Sequence, residues 1–473
     1  MTFLAEGALF FKTWIKQPIH TGAIAPSGST LARLITSEIR ADAGPVIERL
    51  MRAEAAPTID AAPGQDLSAY ADALLDRFAN PALDHRLIQI AMDGSQKIPQ
   101  RWLETLAHNA RLTMLGELGL VDESELGTAT GGRAPRLVRF AARKAVMHET
   151  QKQGIKGVTL DDIYLGNGAS ELIVMAANAL LDNGDELLVP SPDYPLWTAA
   201  TSLSGAAPVH YRCDEDNGWQ PDLADMRARI TPRTKGIVVI NPNNPTGVLY
   251  SDELLKGIVE IAREFGLVLL ADEVYDKVLY DGIQHTALAS LSTDVLTLTF
   301  NSLSKAYRSC GYRAGWMIVS GPKHVAKDFI EGLNMLANLK LGSNVPGQWA
   351  IQTALGGYQS INDLVKEGGR LRRQRDLAYE LITAIPGVTC VKPQAALYMF
   401  PKLDPDVYPI ADDRQFFMEV LRETRVMLVQ GSGFNYPDHQ HFRIVFLPHE
   451  DDLREAIERI ARFLESRRKR HAV

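Results

Sequence analysis

Lys305 stands in Asn301-Ser302-Leu303-Ser304-Lys305-Ala306-Tyr307-Arg308, directly after the apolar run 295–300. Ser302 lies three residues before it and Arg313 eight after. A lysine at a strand end, flanked by side chains that can hold an anion, suits capture of a phosphorylated aldehyde as a Schiff base. Two more segments share this placement. Asn241-Pro242-Asn243-Asn244-Pro245-Thr246-Gly247 follows the apolar run 236–240, and Ala271-Asp272-Glu273-Val274-Tyr275 follows 267–270. Open α/β sheets bind ligands outside the carboxyl ends of their strands, so three such segments point to one site. Each also has a plainer reading when taken alone. The Asn-Pro run is a turn by local preference, Asp272 a strand-end residue, Lys305 a solvated amine and Arg443 an ion-pair partner.

The elements that must carry these residues are legible as patterns. Residues 141–345 alternate strand-like and helix-like segments, which predicts a mostly parallel sheet covered on both faces, an α/β domain. From 346 to 473 the pattern changes to helices with short strands, a smaller α+β domain, with strands predicted at 426–429 and 442–446 and a helical stripe at 453–464. The Gly/Ala/Thr-rich stretch 127–135 lies within a predicted linker, 119–140.

In this order the motifs resemble the fold-type I aminotransferases that use pyridoxal phosphate (PLP). Over about 141–473 the chain is most similar to the bacterial glutamate–pyruvate (alanine) aminotransferase family. The joint occurrence of all the motifs in family order outweighs the plain readings. The resemblance implies that Lys305 carries the cofactor and shuttles the substrate proton. It implies that Asp272 faces the pyridine nitrogen, and that Tyr275 and Asn244 donate to the ring O3′. The phosphate is expected on Gly168, Ala169 and Ser170 at a helix start, completed by Ser302 and Arg313. Tyr194 is expected to cover the ring and Arg443, with Asn244, to clamp the substrate carboxylate. Ser191-Pro192-Asp193-Tyr194-Pro195-Leu196-Trp197 resembles the alanine-type enzymes. The implied substrates are amino acids and 2-oxo acids, and the implied assembly is a homodimer.

The front of the chain is a helical extension of a different character. Residues 10–48, with Gly22-Ala23-Ile24-Ala25-Pro26-Ser27, resemble the lead-in of phospholipid N-methyltransferases, giving a first segment of 1–46. Residues 47–106, with Arg77-Phe78-Ala79-Asn80-Pro81 and Met92-Asp93-Gly94-Ser95-Gln96-Lys97, resemble the C-terminal domain of mannitol-type dehydrogenases, giving a helical segment of 47–118. Neither carries its family's cofactor loop, so neither methyl transfer nor polyol oxidation is expected. The aminotransferase resemblance begins after the N-terminal arm and tyrosine loop of that family. A PLP-binding protein with weak or no turnover is therefore the alternative to an alanine transaminase. Ala395 stands where the family has glycine and is expected to be strained if that position needs positive φ.

Composition narrows the classes. A formal charge of −7, with no dominant basic face, argues against a nucleic-acid role. The three separated cysteines, Cys213, Cys310 and Cys390, imply a reducing, cytoplasmic setting without a disulfide framework. Cys310, beside Gly311, reads as a small buried residue. No apolar run reaches membrane-spanning length, and no metal-ligand spacing stands out.

Overall fold

The computed structural model describes residues 133–468, and the segments 1–46 and 47–118 lie outside them. The order is α1 (Arg133–Lys152), β1 (Ile163–Gly166), α2 (Ala169–Leu180), β2 (Glu186–Ser191), α3 (Leu196–Leu203), β3 (Ala207–Asp214) and β4 (Gln220–Pro221). Then come α4 (Leu223–Ala228), β5 (Thr234–Ile240), α5 (Asp252–Phe265), β6 (Val268–Asp272), β7 (Thr297–Ser302), β8 (Gly315–Ser320), α6 (Lys327–Leu339) and α7 (Val345–Gly356). The remainder is α8 (Ile361–Val365), α9 (Arg370–Thr383), β9 (Val388–Thr389), β10 (Tyr398–Met399), β11 (Lys402–Leu403), α10 (Asp413–Thr424), β12 (Val429–Gln430), β13 (Phe442–Val445) and α11 (Glu450–Arg467).

Eight strands form one sheet in the order β1-β8-β7-β6-β5-β2-β3-β4. The central run β7-β6-β5-β2-β3 is parallel, while β8 runs against both its neighbours. Strand alternation explains why the central strands read as unbroken apolar runs. Val238, Ile240, Leu270 and Phe300 pack on one face; Ile237, Val239, Leu269 and Ala271 pack on the other. Helix α5 seals the second face with Leu255, Ile258, Val259 and Ala262, spaced to share one side of a helix. Ser251 caps it by accepting from the Leu254 amide at 3.2 Å, and Gly266 ends it in the left-handed conformation. Losing that serine oxygen costs about 1 kcal/mol.

Several elements differ from the sequence reading. β7 runs Thr297–Ser302, beyond its apolar run, because Asn301 and Ser302 still pair with Trp316 and Gly315 of β8. α1 starts at Arg133, inside the expected linker. The expected boundary at 345 falls at the first residue of α7, which packs along α1. Of the strand expected at 426–429, only Val429–Gln430 pairs, with β13. Positive φ falls on Ala396 (58°) and not on Ala395. The turn at Ala396 lets its amide donate to Val278 O at 2.9 Å and its carbonyl accept from Tyr280 at 2.8 Å. Cys310 is exposed, in a 3₁₀ turn that swings it away from the sheet.

Candidate active site

The sheet reverses its winding between β2 and β5, since the chain proceeds outward to β3 on one side and to β6 and β7 on the other. Such a switch point opens a crevice at the carboxyl ends of the strands. Tyr194 follows β2, Asn244 follows β5, Asp272 ends β6 and Lys305 follows β7.

Asp272 is 3% exposed. Its Oδ2 accepts from Trp197 Nε1 at 2.9 Å, while Oδ1 has no partner. Burial pushes the Asp272 carboxyl up; the indole bond, the Val274 amide and the Lys305 charge act in the opposite direction. Lys305 is half-buried, its Nζ 5.7 Å from the Tyr275 ring centre. The Tyr275 hydroxyl shares a 2.8 Å hydrogen bond with that of Tyr398. The Arg443 guanidinium lies 4.5 Å from the Tyr398 ring centre and 4.7 Å from that of Phe434. Its Nη1 donates to Asn244 Oδ1 at 3.0 Å, and its Nε is buried without a partner. That bond commits the Asn244 side-chain carbonyl to Arg443. Tyr194 is 37% exposed at the rim. Burial and then the Asp272 charge push its phenol up, with Arg443 and Arg313 opposing, so one ring senses all three charged groups.

A second group forms where β1 turns into α2. Gly168 precedes the helix with φ 89° and offers no side-chain cap, so the first-turn amides at Ala169 and Ser170 are left for an anion. A Cβ on Gly168 would run into the Arg313 guanidinium, and one on Gly315 would sit 2.5 Å from Ala169 N. Arg313, itself left-handed (φ 48°), donates to Asn167 O at 3.2 Å and to Cys310 O at 3.0 Å. Ser302 is buried, its Oγ accepting from the Ser304 amide at 3.2 Å. Asn344 fastens this corner. Its side-chain nitrogen donates to Asn167 Oδ1, Tyr312 O and Arg313 O, and its Oδ1 accepts from Gly347 N.

The chain thus brings every expected site residue to one end of the sheet. Sequence reasoning missed three others. Trp197, Tyr398 and Asn344 each serve a motif residue from 75, 123 and 177 positions away respectively, and no local spacing signals that.

The site's geometry asks for a ligand of stated chemistry. Asp272 Oδ1 wants a buried donor, the α2 amides with Arg313 and the glycine cradle want an anion, and Arg443 Nε wants an acceptor. A flat, protonated heterocycle with a phosphate arm, lying beside a carboxylate substrate, meets all three. Among the described residues no group of His, Cys, Asp or Glu could hold a metal, and no helix is long and apolar enough to cross a membrane.

The family model for class I and II aminotransferases matches residues 135–460, and the chain belongs to that family. It is 59% identical over 325 residues to the glutamate–pyruvate aminotransferase AlaA of Escherichia coli strain K12, covering 69% of this chain and 80% of that protein. To the alanine aminotransferase of Mycobacterium tuberculosis strain H37Rv it is 58% identical over 330 residues, covering 70% and 77%. Among solved structures, an Escherichia coli aminotransferase superposes with a TM-score of 0.72 at 45% identity, covering 95% of this chain and 100% of that one. A second family model, the mannitol dehydrogenase C-terminal domain, matches residues 37–116, so that likeness begins earlier than the expected 47.

Proposed function

We propose that this aminotransferase uses PLP and exchanges the amino group between L-alanine and 2-oxoglutarate, giving pyruvate and L-glutamate. The observation that carries the reading is Asp272, a buried carboxylate with one unpartnered oxygen beside the Lys305 charge. Bound PLP supplies an electron sink for the substrate Cα, and a buried carboxylate at its ring nitrogen keeps that sink charged. Lys305 would hold the cofactor's aldehyde and would move the proton at the substrate Cα. Gly168, Ala169, Ser170, Ser302 and Arg313 would hold the phosphate, Tyr194 would cover the ring, and Tyr275 with Asn244 would donate to the ring oxygen. Arg443 binds the substrate carboxylate through its planar fork, with Asn244 setting the angle of that fork. The relatives named for alanine and for glutamate–pyruvate transamination support this substrate pair.

The same reading includes a homodimer in the cytoplasm. Met335, Leu339 and Leu341 are 61%, 78% and 91% exposed on and just after α6, an apolar surface suited to a second copy.

One observation favours a second reading, PLP binding with weak turnover: the aminotransferase match begins only at residue 135. A single experiment separates the two. The protein is loaded with PLP, its visible spectrum recorded, and L-alanine added alone. Conversion of the cofactor band to the pyridoxamine form supports the transaminase; a band that persists supports the second reading; no band at all sinks both.

A further inference from the structure

His441 lies two residues before Arg443 and is fully buried. Its Nδ1 faces Asp438 Oδ1 at 2.8 Å and its Nε2 faces Glu215 Oε2 at 3.2 Å. An ionised carboxylate only accepts, so both ring nitrogens must donate, which makes the ring an imidazolium. Lys402 Nζ sits 3.2 Å from the same Glu215 oxygen, so two cations and two anions close the cluster at zero net charge. Phe400 stacks on the imidazole at 5.1 Å and 22°, while Trp219 and Tyr436 meet it edge-on at 5.4 and 4.8 Å. Aromatic faces favour a cation there.

The cluster joins distant parts of the fold. Glu215 follows β3 of the large sheet, whereas His441 bridges to Lys402 and leads into β13. From His441 a line of rings reaches the carboxylate clamp: Phe400 meets Phe434 edge-on at 5.9 Å, and Phe434 faces the Arg443 guanidinium.

We infer that His441 is a positioning residue for Arg443: held as an imidazolium between Glu215 and Asp438, it ties the start of β13 to the large sheet and fixes where the guanidinium stands. This rests on the reading of Arg443 as the carboxylate clamp. Burial works against the charged ring, but the Asp438 and Glu215 bonds outweigh it and raise the pKa of His441 above its ordinary value. Burial likewise opposes the two carboxylates, which His441 and Lys402 hold below theirs. The Tyr436 phenol, pushed far up by burial and these acids, stays neutral. The tie is therefore present below the raised His441 pKa and is lost as pH rises through it.

The test uses the PLP-loaded enzyme and propionate, a carboxylate that cannot react. Nitrogen NMR of the wild-type protein should show both His441 ring nitrogens protonated near neutral pH. His441→Gln should bind propionate at least about tenfold more weakly with an unchanged cofactor spectrum, since a displacement of about 1 Å in a positioned group can cost about a hundredfold. Glu215→Gln removes one carboxylate, so the alkaline loss of propionate binding should move to lower pH. A singly protonated His441, or both variants binding propionate as the wild type does across pH, overturns the inference. Arg443→Lys, measured alongside, separates the failures. If it also binds propionate normally, the reading of Arg443 falls and takes this inference with it.

Discussion

Two polar regions of this molecule, each centred on a buried side chain, His441 and Asp272, are built on opposite plans. Around His441 every charge is answered: His441 meets Glu215 and Asp438, Lys402 meets Glu215, and none of their side-chain atoms is buried without a partner. Around Asp272 the groups are held in place and left incomplete, with Asp272 Oδ1 and Arg443 Nε both buried and unpartnered. A closed cluster fixes geometry; an open one waits for a ligand. Glu273 shows why an orphan oxygen alone is not enough. Its Oε1 accepts from Leu288 N at 2.8 Å and its Oε2 has no partner, yet the charges acting on it are the acids Asp276 and Asp272. Burial pushes its carboxyl up to about 8, so it rests as a neutral acid, whereas Asp272 has Lys305 beside it.

The strongest way to break this contrast is Lys305→Ala. Turnover should fall by at least about 10²–10⁴-fold with the loss of the proton-transfer group. Borohydride labelling of the wild type, followed by peptide mapping, should find the cofactor on Lys305; label on another lysine would refute the assignment.

Asp272 and Arg443 should then divide by phenotype. Arg443→Lys keeps the charge and loses the fork, so binding of amino and oxo acids should weaken by about 2–5 kcal/mol. Asp272→Ala should slow the chemical step more than it weakens binding. Steady-state and single-turnover rates separate the two, and identical effects on KM alone would contradict these roles.

A smaller effect sharpens the anion side of the open region. Gly168→Ala puts a side chain at φ 89°, ψ 164°, a region essentially limited to glycine, at a cost of about 1–3 kcal/mol, and drives a methyl into Arg313. Cofactor affinity should drop about tenfold while the fold survives, as titration of the apoprotein with PLP would show. Unchanged affinity would mean that the cradle does not hold the phosphate.

The smallest expected change in turnover probes the false positive. A group whose native pKa is raised to about 8 holds its proton in the folded state while the unfolded chain has released it, so wild-type stability should fall as pH rises from about 4.5 to 8. Glu273→Gln should remove that slope, the gap growing by at most about 1.4 kcal/mol per pH unit. Denaturant midpoints across this range decide it, and turnover at pH 7 should be nearly unaltered.

Much of the open region was legible in the chain. Asp272, Asn244 and Lys305 sit where an apolar run gives way to polar residues, and that transition marks a strand's carboxyl end. The closed region was not. His441 was visible only as a neighbour of Arg443, because its partner Glu215 lies 226 positions away. Boundaries failed for local reasons. Asn301 and Ser302 extend β7 through backbone pairing that polarity does not forecast. The left-handed turn at Ala396 follows from where Val278 and Tyr280 stand, and a 3₁₀ turn rather than composition exposes Cys310.

Asn344 has a consequence for how the anion corner moves. One side-chain amide ties the Asn167 loop, the Tyr312–Arg313 turn and the start of α7. Three segments fastened to one side chain do not loosen one at a time. Their backbone amides belong to one cooperative opening unit, so hydrogen exchange there reports a common free energy rather than three local ones.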